Sequence, residues 1–246
     1  FAVNGDLVDN GEADYQWRAF FNSANKLLDK IFAPVMGNHE CYGVDWFNAL
    51  PTGYLKNFEL PNNNSKDFGG YFYSFDYGAA HFFVLNTQFV ELDIFKPNLQ
   101  SAQEYFLRRD AANTNRPWKI VFMHKDIYDY GQDKFNDIAE RFLDLFDELE
   151  IDLVFTGHLH TYRNRGRLFN RKKSAHGTIY ILCGRSGDQK YVEPRSNIDE
   201  ITHKNLQNEP ESFIALNIGA TEITLTAQTV DGEILDKFTI RKGDFK

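Results

Sequence analysis

Five side chains in this sequence carry the donor chemistry of a metal site: Asp6, Asn38, His124, His158 and His160. Carboxylate, amide oxygen and imidazole are hard or borderline ligands. They suit Mn, Fe, Zn or Co, and the absence of a thiolate from the set argues against Cu(I) or a structural zinc–thiolate site. His158 and His160 are two residues apart, a spacing at which alternate side chains of an extended segment face the same way. Asp6 follows Gly5, and a residue without Cβ permits close packing at a crowded centre. A carboxylate has two oxygens, so Asp6 is the natural bridge between two cations roughly 3.5–4 Å apart. Asn38 adds a neutral oxygen and no charge.

All five stand just beyond short apolar runs. Residues 1–3 lead into Asn4-Gly5-Asp6, 32–36 into Gly37-Asn38-His39-Glu40, 120–123 into His124, and 153–155 into Thr156-Gly157-His158-Leu159-His160. Short, nearly continuous apolar runs read as strands buried on both faces of a sheet. In a parallel sheet their C-terminal ends gather on one edge, where ligands bind. Apolar residues at three-to-four spacing predict helices over 13–30 and 135–150. A third helix, over 101–112, opens on Ser101 and Glu104 in capping-box spacing. Strands alternating with helices imply a mostly parallel α/β sheet. Residues 71–77 and 81–85 read as a hairpin around Gly78-Ala79-Ala80. Residues 178–182, 212–218, 222–229 and 233–241 read as an antiparallel meander with a turn at Asp231-Gly232. Residues 62–65 and 195–211 read as exposed loops, and no internal repeat or long linker divides the chain.

The 246 residues carry 42% hydrophobic and 25% charged side chains, enough for one domain with a substantial core and unlike a disordered chain. No apolar run approaches the roughly 20 residues of a membrane-spanning helix. A formal net charge of −8 makes a nucleic-acid binder a poor reading. Cys41 and Cys183 cannot make a disulfide framework and read as free thiols, which leaves the redox compartment open. His81, His176 and His203 read as structural or solvent-facing. The basic run Arg163, Arg165, Arg167, Arg171, Lys172 and Lys173 reads as a solvated hairpin, with gathering of an anionic substrate as the alternative. Tyr42, Trp46 and Phe47 are candidate pocket-lining residues, and Asn63-Asn64-Ser65 is a sequon short enough to arise by chance.

Taken in order, Gly5-Asp6, Gly37-Asn38-His39-Glu40, a strand-end His124 and Gly157-His158-Leu159-His160 resemble the motifs of calcineurin-like metallophosphoesterases, over nearly the whole chain. The segments Tyr71-Phe72-Tyr73-Ser74-Phe75-Asp76-Tyr77 and His81-Phe82-Phe83-Val84-Leu85 look most like the purple-acid-phosphatase-like branch. The resemblance implies a four-layer α/β/β/α sandwich, a β-sandwich flanked by helices. It also implies two divalent or mixed-valence metal ions (Mn, Fe or Zn). Asp6 would bridge them, Asn38, His124 and His158 would complete one site, and His160 would bind the second ion. His39 would act as the general acid or transition-state donor. Glu40 would orient His39 or face solvent. The expected activity is hydrolysis of a small phosphomonoester or diester by hydroxide generated at the metals. Neither a membrane nor a nucleic acid is an expected partner, and nothing in the residues sets the oligomeric state. Members of that branch are often exported, but no residue here marks export, so localisation stays open.

Two features depart from the family pattern. Its first motif, an Asp on a strand before the bridging Asp, would lie upstream of Phe1. The resemblance therefore implies a single N-terminally truncated domain over 1–246 that lacks the first strand–helix unit. It would keep only Asp6 and His160 at the second site and turn over slowly beside a version extended upstream. Asp9 and Glu12 would help that site only if the loop after Asp6 folds back. The alternative is a non-catalytic domain that retains one metal. Second, Asp9 stands where purple acid phosphatases carry the iron-binding tyrosine, so no purple colour or Fe(III) preference is implied.

Overall fold

A computed structural model of the chain describes residues 1–27, 29–63, 66–187 and 210–243, and the backbone of 201–202. Strand β1 (Ala2–Val3) pairs parallel with β2 (Ala33–Pro34), Ala2 opposite Ala33 and Val3 opposite Pro34. Helix α1 (Asp14–Ser23) connects them. It buries Trp17, whose ring meets Phe20, Phe21 and Phe58. The helix stops seven residues before the expected end, and Leu27 in the turns that follow is exposed. Apolar spacing persists there, but exposed Leu27 buries too little surface to hold a helix. Helix α2 (Thr52–Asn57) follows and buries Tyr54.

The main sheet comprises β3 (Tyr73–Tyr77), β4 (Ala80–Val84), β5 (Trp118–Phe122), β6 (Leu153–Thr156), β7 (Tyr162–Phe169), β8 (Lys172–Lys173), β9 (Thr178–Cys183) and β10 (Ile201–Thr202). Its order is β10-β7-β9-β6-β5-β4-β3, with β8 beside β7. Strands β4, β5, β6 and β9 run parallel, while β3 and β7 pair antiparallel with their neighbours. Between β4 and β5 come α3 (Phe89–Leu92) and α4 (Leu99–Asn113), and α5 (Asp137–Glu148) joins β5 to β6. Asn136 caps α5 by accepting from the amides of Ile138 and Ala139. Ser101 does not cap α4: Asn98 is the cap residue, and the Ser101 hydroxyl donates to its carbonyl at 3.1 Å.

Each parallel strand is mostly apolar because both its faces are covered. Phe83, Val121, Val154 and Tyr180 pack beneath Phe106, Phe142 and Phe146 of α4 and α5. Phe82, Ile120, Phe155 and Ile181 face a second sheet through Ile223, Leu225, Ala227 and Ile240. That sheet is the antiparallel β11 (Ser212–Ile218), β12 (Glu222–Thr229) and β13 (Ile234–Arg241). The expected mixed α/β architecture, with one sheet stacked on another and helices alongside, is therefore what the chain adopts.

Residues 178–182 do not belong to the meander. They form β9, parallel to β6 and buried along its length, as its unbroken apolar run requires. The basic run is not a solvated hairpin. Arg163 and Arg165 are buried in β7, and the Arg165 guanidinium lies 2.6 Å from the equally buried Asp126 carboxylate. Arg171 pairs with Asp144 and Glu140, and only Lys172 and Lys173 form an exposed strand. Within 195–211, Ile201–Thr202 pairs with β7 rather than looping freely, and Glu211 meets Arg185 at 2.6 Å. His203 and the rest of that stretch up to residue 209, together with Asn64 and Ser65 of the sequon, lie outside the described residues. Both cysteines are free.

His81 has the structural role expected of it. On β4 its Nδ1 lies 2.7 Å from Asp76 Oδ1 and its Nε2 3.0 Å from Asp110 Oδ2. Arg116 donates to Asp76 from the other side at 3.0 Å. Burial pushes the imidazole down, but the two carboxylates outweigh it and raise its pKa above the ordinary 6.5. Burial likewise favours neutral Asp76 and Asp110, yet His81 and the flanking arginines hold both below 3.8. The histidine's contribution to stability is complete below pH 6.5 and is lost as pH rises through its folded pKa. The carboxylates' contribution is present above 3.8 and is lost as pH falls through their folded values. His81→Gln should therefore lower Tm by about 2–4 °C more near pH 5 than near pH 9. Equal losses at both pH values in a thermal-melt series would contradict the assignment.

Candidate metal centre

The segments leaving β1, β2, β5 and β6 converge, and they carry Asp6, Asn38, His124 and His158. His124 is at the middle. Its Nδ1 donates to the Asn4 carbonyl at 2.6 Å, which fixes the tautomer and turns the Nε2 lone pair inward. Around Nε2 lie Asn38 Oδ1 at 3.0 Å, Asp6 Oδ2 at 3.1 Å and His158 Nδ1 at 3.2 Å. The Asn38 amide is oriented by its own NH2 group, which donates to the Tyr42 hydroxyl at 3.2 Å. Ligand atoms of Asp6, His124 and His158 all fall within 4.8 Å of one another. Acceptor atoms facing each other at such distances repel unless a positive charge sits among them, so this donor set fits a divalent cation.

The electrostatics agree. Burial would raise the Asp6 carboxyl, but the facing His124 and nearby His39 hold it well below the usual carboxylate range. Burial would lower His124, but the facing Asp6 carboxylate outweighs it and raises the ring above its ordinary 6.5. His158 is pushed down to about 3 by burial and by the charge of His124, which keeps it a neutral donor.

The backbone is strained and crowded where these ligands stand. Asp6 has φ +54° and His158 φ +71°, left-handed values that cost a non-glycine residue roughly 1–3 kcal/mol. Gly5 sits at φ +90°, and a Cβ there would lie 2.4 Å from His124 Nδ1. A Cβ on Gly37 would lie 2.2 Å from Asp6 Oδ1. These two glycines let the loops after β1 and β2 touch.

Glu40 is neither solvated nor bonded to His39. It is buried, and its carboxylate accepts from four backbone amides: Asp6 and Gly37 through Oε2, Leu7 and Val8 through Oε1. It thereby ties the loop carrying Asp6 to the loop carrying Asn38. Burial and the neighbouring Asp6 charge push it up to about 7, against the pull of those amides. The sequence places Glu40 two residues beyond Asn38, and its role depends on where the Asp6 loop arrives, which spacing does not show.

His39 stands at the edge of the cluster. Its Nδ1 donates to the Asp9 carbonyl at 2.7 Å, with the Asp9 carboxylate 3.4 Å away. Its backbone amide donates to Asp6 Oδ1 at 3.1 Å. Tyr42 and Trp46 meet its ring edge-on at 5.4 and 6.2 Å between centroids. Glu12 is engaged elsewhere, accepting from the Val44 amide. His160 is half-buried on the His158 loop and acts electrostatically on His158. It is not part of the close Asp6–His124–His158 group among the described residues. A cavity of about 160 Å³ opens beside His158, lined by Lys125, Asp129, Tyr130 and Asp137 among others. Sequence reasoning did not identify Lys125, whose ammonium lies 2.9 Å from both Glu91 oxygens.

The model of the calcineurin-like phosphoesterase family matches residues 1–162. Purple acid phosphatase 23 of Arabidopsis thaliana is 27% identical over 72% of this chain and 39% of its own length. Purple acid phosphatase 15 of the same plant is 29% identical over 72% of this chain and 32% of its own length. The phosphoenolpyruvate phosphatase of Allium cepa is 29% identical over 65% and 36% respectively. The chain thus spans about a third of the length of these relatives. The purple acid phosphatase PPD1 from yellow lupin seeds superposes with a TM-score of 0.74 at 20% identity, covering 98% of this chain and 46% of that one. Its likeness is one of fold. With a family match across about two thirds of its residues and the family's fold around the Asp6–His124–His158 cluster, the chain belongs to the calcineurin-like phosphoesterases.

Proposed function

We propose that this chain is a single metallophosphoesterase domain that hydrolyses a phosphate monoester or diester at a dinuclear metal centre. The observation that carries the reading is the ring of Asp6 Oδ2, Asn38 Oδ1 and His158 Nδ1 around His124 Nε2 at 3.0–3.2 Å. Asp6, Asn38, His124 and His158 would hold one ion, and Asp6 with His160 the other. Bound divalent ions would supply Lewis acidity toward the phosphoryl oxygens and toward an attacking water. Asp6, whose backbone amide is tied to the Glu40 carboxylate, would be shared by the two ions. His39 is held by its Nδ1 on the Asp9 carbonyl, which orients Nε2; with both ring nitrogens protonated it would give the Nε2 proton to the departing oxygen and be left as the neutral ring.

A panel of phosphate esters offered to the Mn-, Fe- or Zn-loaded chain tests this. His39→Ala should lower turnover of alkyl phosphates by about 10²–10⁴. The loss should be smaller for nitrophenyl phosphate, whose leaving group needs less protonation. The same loss for both would assign His39 to phosphate binding instead. A second reading, a domain that holds one ion without turnover, draws on the absence of His160 from the close ligand group among the described residues. One equivalent of metal with no hydrolysis of any ester would select it.

A further inference from the structure

Trp46 is exposed where the chain's other tryptophans are not: its relative exposure is 55%, against 3% for Trp17 and 0% for Trp118. Its backbone has φ +65°, a conformation unfavourable for a bulky residue and one whose presence points to function more than to packing. The turn is braced to hold it. The Trp46 amide donates to the Gly43 carbonyl at 2.8 Å, the Gly43 amide to the Phe47 carbonyl at 2.9 Å, and the Phe47 amide to Asp45 Oδ1 at 3.2 Å. The indole meets His39 edge-on at 6.2 Å and Tyr42 at 6.1 Å. A rigid indole, largely open to solvent, therefore borders the histidine assigned to the leaving oxygen. Carboxylates surround the turn: Asp45 on the Phe47 amide, Glu12 on the Val44 amide and Asp9 against His39.

We propose that Trp46 is a specificity-determining platform on which a flat, uncharged aromatic group of the ester's alcohol portion stacks. The preferred substrate is then a phosphate ester with a single phosphoryl group and an aromatic leaving alcohol. This rests on the phosphoesterase reading above. Stacking on an open aromatic face is favourable and tolerant of ring identity. The acidic surround disfavours a second phosphoryl group at that position through like-charge repulsion. A nucleoside and a simple aromatic alcohol both present such a ring, and the test separates these sources.

The metal-loaded chain is assayed on two matched pairs: 2-phenylethyl phosphate with 2-cyclohexylethyl phosphate, and adenosine 5′-monophosphate with ribose 5-phosphate. Each pair shares a primary-alkoxide leaving group and differs in the aromatic ring. The expected result is kcat/KM about tenfold higher for the aromatic member of at least one pair, the responding pair naming the source. Trp46→Gly, which removes the indole and also suits φ +65°, should bring that ratio close to one, and Trp46→Phe should retain most of it. Ratios near one in the unaltered chain, or ratios unmoved in Trp46→Gly, would overturn the platform while leaving the phosphoesterase reading intact. Hydrolysis of none of the four esters would overturn both.

Discussion

Asp6→Asn should abolish tight metal binding and most turnover while the chain stays folded. Asparagine tolerates the left-handed φ of +54° at this position, so the backbone is kept and only the charge is lost. Asp6 Oδ2 faces His124 Nε2 at 3.1 Å, and Asp6 is the one anion among the three side chains around that nitrogen. Removing even an outer partner of a metal ligand costs about 10–100-fold in affinity, so loss of the anion itself should cost more than about 100-fold. With metal in excess, turnover should still fall by about 10²–10³ or more, because charge stabilisation at the phosphoryl group goes with it. Isothermal titration with Mn or Zn and an ester assay check both parts. Wild-type affinity in the variant would remove Asp6 from the centre.

Glu40→Ala should be among the changes most damaging to stability at a residue that is not itself a proposed metal ligand. Four backbone amides lose their acceptor at once, two of them in fully buried hydrogen bonds. A buried donor left unmet costs about 1–3 kcal/mol, so the loss reaches several kcal/mol of a total near 5–15 kcal/mol. Glu40→Gln keeps one acceptor oxygen and should lose roughly half as much. Urea melts of the three proteins measure this. If Glu40→Ala melted within about 0.5 kcal/mol of the parent, the carboxylate would not be what joins the two loops.

The convergence of Asp6, Asn38, His124 and His158 was legible because each strand's apolar run ends abruptly in a polar donor, as at Val121–His124 and Val154–His158, and a parallel sheet brings such ends together. The helix over 135–150 was legible from its apolar spacing, while the signal for that over 101–112 is a capping box that Ser101 does not form; the ends of both are displaced by two residues or fewer. Three things were not. Residues 178–182 carry no mark that tells a parallel interior strand from a meander strand except their unbroken burial, and the meander strand β12 shows the contrasting alternation. Arg163 and Arg165 read as solvated because charge normally is. The burial of Arg165 depends on Asp126, 39 residues away, arriving on the same face. Glu40's role needed the β1 loop to meet the β2 loop, a contact set by Gly5 and Gly37 together. In each case the missing information was a partner distant in sequence.

The central claim is that His124, Asp6, Asn38 and His158 enclose a cation. Anomalous scattering from crystals of the chain soaked in Mn or Zn tests it most directly. The account predicts a strong peak at about 2.0–2.3 Å from Asp6 Oδ2, Asn38 Oδ1, His124 Nε2 and His158 Nδ1, and a weaker one between Asp6 and His160. A stronger peak at His160, or no peak beside His124 Nε2, would contradict it.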